Sequence, residues 1–269
     1  METITVHIYK RKCFFGLRQG YPPSLLPLFP ILPETIFIFA KSHKMSLDTY
    51  IIVPCYNEGE QLRTTVSELL ERGYKVVVVD DGSKTSAWEM LSDLPIHFLR
   101  HGINLGQGAA LQTGMEYCRR LHADAVVHFD ADGQHSADDI APFLEALNDC
   151  DIVLGSRFLQ SSEISQIPSS RRLLLRCARL VNYLFTGLWL TDAHNGLRAL
   201  NAKALQSIEL KENRMAHATE ILMQIKSHNL RWKELPCTVK YTEYSRSKGQ
   251  KWYNSFDILV ELVLNKLFF

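Results

Sequence analysis

Residues 76 to 79 are four valines in a row. Side chains alternate between the two faces of a strand, so an unbroken apolar run is buried on both. Such a strand belongs inside a parallel sheet with helices covering each face. The same reading fits the apolar runs Tyr50–Pro54, Lys75–Val79, Ile96–Leu99, Ala125–Phe129 and Asp151–Leu154. Helical patterning falls between them, at Glu60–Glu71, Ala87–Leu91, Ala109–Leu121 and Ala137–Leu147. Asn57 and Ser136 stand where they would cap helix starts, and Gly73 where it would end one. Strand–helix alternation of this kind predicts an α/β domain with a Rossmann-like, mostly parallel sheet and helices on both faces. Ligands of such sheets sit in the crevice beyond the carboxyl ends of the strands.

At 269 residues the chain has the length of one such domain with appendages. The expected division is an extension over 1–45, a single domain over 46–251 and an apolar helix over 252–269. The extension holds five of the ten prolines, at 22, 23, 27, 30 and 33, together with Glu34, which argues against a membrane-spanning helix there. Met45, followed by polar residues and a strand, has the look of a natural start. The formal net charge of +1 argues against nucleic-acid binding through general basicity. Six scattered cysteines without a CxxC pair suit a reducing cytoplasm.

The polar residues concentrate at the predicted strand ends. Strand one ends in Pro54-Cys-Tyr-Asn-Glu58, strand two in Asp80-Asp-Gly-Ser83 and strand four in Asp130-Ala-Asp-Gly-Gln134. Strand five ends in Gly155-Ser-Arg157. Taken singly these are weak signals, since Asp132-Gly133 makes an ordinary turn. Their convergence on one crevice is a strong one. On an extended segment, Asp130 and Asp132 project to one side, where two like charges need a cation beside them. Oxygen ligands suit a hard ion such as Mg²⁺ or Mn²⁺, completed by waters and substrate phosphates. Residues 102–108, Gly-Ile-Asn-Leu-Gly-Gln-Gly, open a helix, and two readings stand: a phosphate contact at the helix start, or a closely packed turn.

These motifs, with Asp192-Ala-His-Asn-Gly-Leu-Arg198, resemble the family-2 glycosyltransferases of GT-A fold. Within them the chain is most similar to polyprenyl-phosphate sugar transferases of the dolichyl-phosphate mannose synthase type, from about Tyr50 to Lys251. The resemblance implies that Pro54, Tyr56, Asn57 and Glu58 line a nucleotide pocket and that Asp81, with Gly82, holds the base or ribose. It implies that Asp130 and Asp132 ligate the metal bridging the diphosphate, with Gln134 close to metal or sugar. Arg157 and Arg171 would meet phosphate, Lys248 would reach the donor from a basic loop, and Asp192 would orient a group or act as base. A Glu matching Glu220 occurs in the family, with a structural role as open as a catalytic one.

At about 100° per residue, Arg171, Arg172, Arg176 and Arg179 share one helix face, opposite Leu173, Leu174, Leu180 and Leu184. Arg176 and Arg179 read as an ordinary solvated face. The run Lys240–Lys251, with Arg246 and Lys248, reads equally as a loop over the site or a plain surface loop. The apolar stretch 252–269 spans roughly 27 Å as a helix. Its Asp257 and Glu261 make a membrane pass costly, so it reads as interfacial, as docked on a small integral membrane protein, or as a core helix. His135, His194 and His217 have no metal spacing and stay unassigned.

The expected function is inverting transfer of a sugar from a nucleotide-diphosphate donor, of GDP-mannose or UDP-glucose type, to polyprenyl phosphate at the inner membrane face. One alternative is transfer to a sugar hydroxyl in cell-surface polysaccharide synthesis. Another is a non-catalytic nucleotide-sugar-binding regulator of a membrane partner.

Overall fold

In a computed structural model, residues 47–159 and 179–239, except 181, 185 and 194, are described. The 1–45 extension, Arg171, Arg176, Lys248 and the 252–269 segment lie outside the described residues. The strands are β1 (Thr49–Cys55), β2 (Lys75–Asp80), β3 (His97–Arg100), β4 (Ala125–His128), β5 (Ile152–Ser156), β6 (Arg198–Asn201) and β7 (Trp232–Pro236). The helices are α1 (Glu60–Glu71), α2 (Trp88–Leu91), α3 (Gln107–Arg120), α4 (Ile140–Ala146), α5 (Ala202–Ser207) and α6 (His217–Ser227). One seven-stranded sheet runs in the order β3-β2-β1-β4-β6-β5-β7.

The valine run behaves as its pattern demands. Val76 and Val78 enter the core under α1 and α4, with Leu62, Val66, Ile140 and Phe143. Val77 and Val79 enter a second core under α3, α5 and α6, with Leu111, Met115, Leu205 and Ile221. All four valines have no exposed surface, and each contributes about 1.5–3 kcal/mol by its burial. The same alternation sends Ile51 and Val53 of β1 one way and Ile52 the other.

The sheet is mixed rather than purely parallel. β1 pairs in parallel with β2 and β4, β2 with β3, and β5 with β7. β6 runs antiparallel between β4 and β5, facing His128 and Leu154 with the same residue, Arg198. Neither β6 nor β7 is evident in the sequence, because both are short and lack a sustained apolar run. Ser136 caps as expected, its Oγ accepting the Asp138 N–H at 3.4 Å. Asn57 does not cap α1: Gly59 occupies the cap position, and Asn57 turns left-handed at φ 51°. Its Oδ1 accepts the Lys84 N–H at 2.9 Å while its own N–H donates to Ser83 Oγ at 2.8 Å. The loops after β1 and β2 are thereby tied together.

At the far end of the sheet, buried Asp151 joins β5 to its neighbours. It accepts from the Arg231 backbone N–H at 2.9 Å, Arg231 Nη2 at 3.0 Å and Lys203 Nζ at 3.0 Å. Burial pushes this carboxyl up, but Arg231, Lys203 and Asn201 outweigh it and hold it below the usual carboxylate range. A depressed carboxyl stabilises the fold above the unfolded pKa, about 3.9 for Asp. That contribution drains as pH falls through the lower folded value. Denaturant titration of Asp151→Asn at pH 7 is therefore expected to show a loss of about 2 kcal/mol, typical of hydrogen bonds to a charged group. The gap to wild type narrows as the pH drops below about 4; a constant gap would remove the charge from the explanation.

Candidate active site

The ends of β1, β2 and β4 open onto a cleft of ≈ 410 Å³. Six residues singled out in the sequence line it: Pro54, Tyr56, Glu58, Asp81, Asp130 and Asp132. Asn104, Gln107 and Met215 are among the other residues of the walls. Asn57, Gly82, Gln134, Arg157 and Asp192 are not among the lining residues. Glu220 is likewise outside the cleft; its carboxylate accepts the backbone N–H groups of Lys211 and Glu212 at 2.9–3.0 Å and fixes the approach to α6.

β4 ends at His128, so residues 130–133 form a turn instead of the extended segment expected. Both carboxylates still line the one cleft, and Gly133 leaves the turn with φ 70°. Asp130 Oδ1 accepts from Gln107 Nε2 at 2.9 Å, and Oδ2 lies 3.5 Å from His135 Nε2. Burial pushes Asp130 up, but the hydrogen bond and charge of His135, backed by Arg198, outweigh it and keep the carboxyl below its usual range. Burial pushes His135 down, but Asp130, with Cys237, outweighs it and raises the imidazole to about 10. Asp132 moves the other way. Burial first, and then the like charge of Asp130, push it up, opposed by the Gln134 N–H donated to Oδ1 at 3.0 Å.

A hard divalent cation beside Asp132 would relieve that repulsion. Among the described residues no group of three or more His, Cys, Asp or Glu side chains is gathered to hold an ion. The donor set thus fits a cation that takes one or two carboxylates from the protein and its remaining oxygens from a bound phosphate. Gln134 contributes its backbone N–H to this corner.

Asp81 lines the cleft, yet its buried carboxylate is bound to the loop 101–106. It meets His101 Nδ1 at 2.7 Å and accepts Asn104 Nδ2 at 2.8 Å, Leu105 N–H at 2.9 Å and Gly106 N–H at 2.7 Å. Gly82 (φ 71°) lets the backbone of that loop press close: a Cβ there would lie 2.4 Å from the Ile103 carbonyl carbon. The start of α3 is covered as well, since the Ala109 N–H donates to the Asn213 carbonyl at 3.2 Å. Of the two readings for residues 102–108, the geometry matches the packed turn.

Beyond β5, Arg157 grips Asp192 with Nε at 2.7 Å and Nη2 at 2.9 Å. Asp192 is 3 % exposed at its side chain and Arg157 is 31 % exposed. Burial pushes Asp192 up, but Arg157 outweighs it and holds the carboxyl low, so it accepts a proton poorly. Arg179 is not a solvated charge: Nε donates to the Leu190 carbonyl at 2.8 Å and the guanidinium lies 5.4 Å from the Trp189 ring centre.

The chain from Asp192 to Arg198 links the two halves. At Gly196 a Cβ would fall 2.1 Å from Asp130 Oδ2, so any larger residue would displace the carboxylate from its place. Arg198, buried beneath, is pushed down to about 10 by burial, opposed by the charges of Asp130 and Asp192. Its cross-strand neighbour His128 is pushed down to about 3 by burial, then by Arg198, and neither ring nitrogen finds a partner. A sequence gives no sign of Gln107 as an Asp130 partner. Gly196 lies inside a recognised motif and His135 directly after one, but only the fold reveals what they touch.

Residues 50–209 match the model of glycosyl transferase family 2. The UDP-N-acetylglucosamine–dolichyl-phosphate N-acetylglucosaminyltransferase of Methanococcus voltae is 31% identical, over 81% of this chain and 96% of that one. The undecaprenyl-phosphate mannosyltransferase of Micrococcus luteus is 31% identical, over 73% of this chain and 85% of its own. Among solved structures, S. aureus TarS 1–349 overlays with a TM-score of 0.50 at 16% identity, covering 81% of this chain and 71% of that one. That last likeness concerns the fold alone.

The Asp81 clasp has a direct consequence. Asp81→Ala is expected to cost about 1–3 kcal/mol, the penalty for leaving buried donors unpaired. Amide exchange at Leu105 and Gly106 should accelerate while that of the β1 core stays slow. Unchanged protection at both residues would show that the loop holds without the carboxylate.

Proposed function

The chain belongs to glycosyl transferase family 2, whose members transfer sugars, and we propose that it passes a sugar from a nucleotide-diphosphate donor to a polyprenyl phosphate. The observation that carries this reading is the pairing of a carboxylate-lined cleft with an arginine site, joined through residues 192–198. The activities for which the two relatives are named, one with dolichyl phosphate and one with undecaprenyl phosphate, support the same acceptor class.

In the proposed reaction a phosphate oxygen of the acceptor attacks the anomeric carbon from the face opposite the leaving group. The bond from that carbon to the donor's phosphate oxygen breaks, and the nucleoside diphosphate departs with the electron pair, so the configuration inverts. Pro54, Tyr56 and Glu58 would wall the nucleotide, with Asn57 and Gly82 shaping the loops and Asp81 stiffening the wall beside it. Asp130 and Asp132 would hold Mg²⁺ or Mn²⁺, which when bound neutralises charge gathering on the diphosphate. Gln134 keeps Asp132 in place through its backbone N–H.

A phosphate acceptor, with a second pKa of about 6, is already a nucleophile at neutral pH and asks for cations to position it rather than a base. Arg157 meets that need, with Arg171 expected on the same phosphate, while Lys248 would reach the donor. Asp192, low in pKa and bound to Arg157, serves as the orienting group and not the base. The reaction is assigned to the cytoplasmic membrane face, where a lipid carrier and a soluble nucleotide sugar meet, with a small membrane protein as a docking partner. Among the described residues no helix is long and apolar enough to cross a membrane.

Incubation with radiolabelled GDP-mannose or UDP-glucose, polyprenyl phosphate and Mg²⁺ or Mn²⁺ should yield a lipid-extractable sugar released by mild acid. Asp132→Ala is expected to lower kcat/KM by about 10²–10³-fold, the scale for removing one electrostatic stabiliser of the leaving group. Full activity in that variant sinks the metal role, and a product stable to mild acid sinks the phosphate acceptor.

A further inference from the structure

Glu234 lies on β7, in register with Leu154 of β5. Its carboxylate takes the Thr191 N–H at 2.9 and 3.0 Å, the Thr191 hydroxyl at 2.9 Å and the Asp192 N–H at 3.2 Å. An ionised carboxylate accepts only, so Thr191 must donate to it. The Thr191 hydroxyl is then left to accept from Ser156 Oγ, 2.5 Å away. Ser156 in turn accepts the Phe158 N–H at 3.2 Å. Both flanks of Arg157 are thus tied to the segment that carries Asp192, and Glu234 is where those ties end.

We propose that Glu234 is a positioning residue for the acceptor side of the site. By fixing the backbone at Thr191 and Asp192, it sets the carboxylate that orients the Arg157 guanidinium. The inference rests on the reading of Arg157 as the group that faces the acceptor phosphate. A bidentate carboxylate–guanidinium pair fixes a plane, and that plane is only as well defined as the backbone carrying the carboxylate. Every group facing Glu234 in this clasp is a donor. Glutamine, which fills the same volume, would turn an NH₂ group towards an N–H and open the clasp without emptying the space.

The test is steady-state kinetics of the full chain with the acceptor and the donor varied in turn. Glu234→Gln should raise the acceptor KM about tenfold, as loss of a charge-assisted hydrogen bond does, and leave the donor KM within about twofold. In an Arg157→Lys background, where the planar pair is already gone, the same change should add less than about twofold, because effects transmitted through one residue do not add. Thr191→Val, which removes only the hydroxyl, should move the acceptor KM in the same direction and covers the case in which Glu234→Gln fails to fold. Equal effects in both backgrounds, an equal rise in the donor KM, or a lower kcat with both KM values unchanged would overturn the proposal. A wild-type chain that labels no polyprenyl phosphate overturns the function reading alone. The same comparison is then made on the acceptor it does glycosylate, with the same outcomes deciding the role of Glu234.

Discussion

The contact between Gly196 and Asp130 is the constraint on which the site depends. A backbone segment runs so close to a half-buried carboxylate that no side chain fits between them. That closeness follows from β6, which enters the sheet antiparallel between β4 and β5 and so must begin at the end where its neighbours finish. The lead-in to β6 therefore crosses the mouths of both. On one side it touches the carboxylate of Asp130; on the other it delivers Asp192 to Arg157. An acidic corner at Asp130 and the Arg157–Asp192 pair thus lie at the two ends of one short stretch of chain.

Charge at the strand ends is divided between building and chemistry. Asp80 and Asp81 follow one another, yet both are buried and turned inward: Asp80 accepts Ser83 and Ala87 N–H groups, and Asp81 holds the 101–106 loop. Asp130 is half structural, paired with Gln107 and His135. Asp132 is the carboxylate left under strain, raised by burial and by its neighbour. A ligand that brings positive charge to this corner gains most at Asp132, because there the protein has supplied the least compensation. Buried Arg198 works in the same sense from below, lending positive charge to Asp130 and Asp192 together.

Much of this was legible in the residues. The valine run and its companions gave the strands β1 to β5 and the helices between them to within a few residues, since an apolar period is a local property. Six cleft residues were legible because polar strand ends in a parallel sheet share one edge. What was not legible came from pairs distant in sequence. Asn57 has the chemistry of a helix cap, but the loop after β2 offered its side chain a better partner in Lys84. Arg179 looked solvated on a helical wheel, and a carbonyl eleven residues away took it up. Gln107 and Glu234 carry no local signal, since a lone amide or carboxylate on a short element resembles any surface residue.

The sequence by itself determined the strands β1 to β5, the apolar faces they bury and the gathering of acidic residues at their carboxyl ends, because each is written in the period and punctuation of a continuous segment. Only the tertiary structure decided which of those acids are spent on holding loops and which stay available in the cleft. It also decided that β6 would reverse, and that its lead-in would run from the Arg157–Asp192 pair past Asp130. Such outcomes depend on which donors arrive from elsewhere in the chain, and a buried carboxylate takes its role from the partners that reach it.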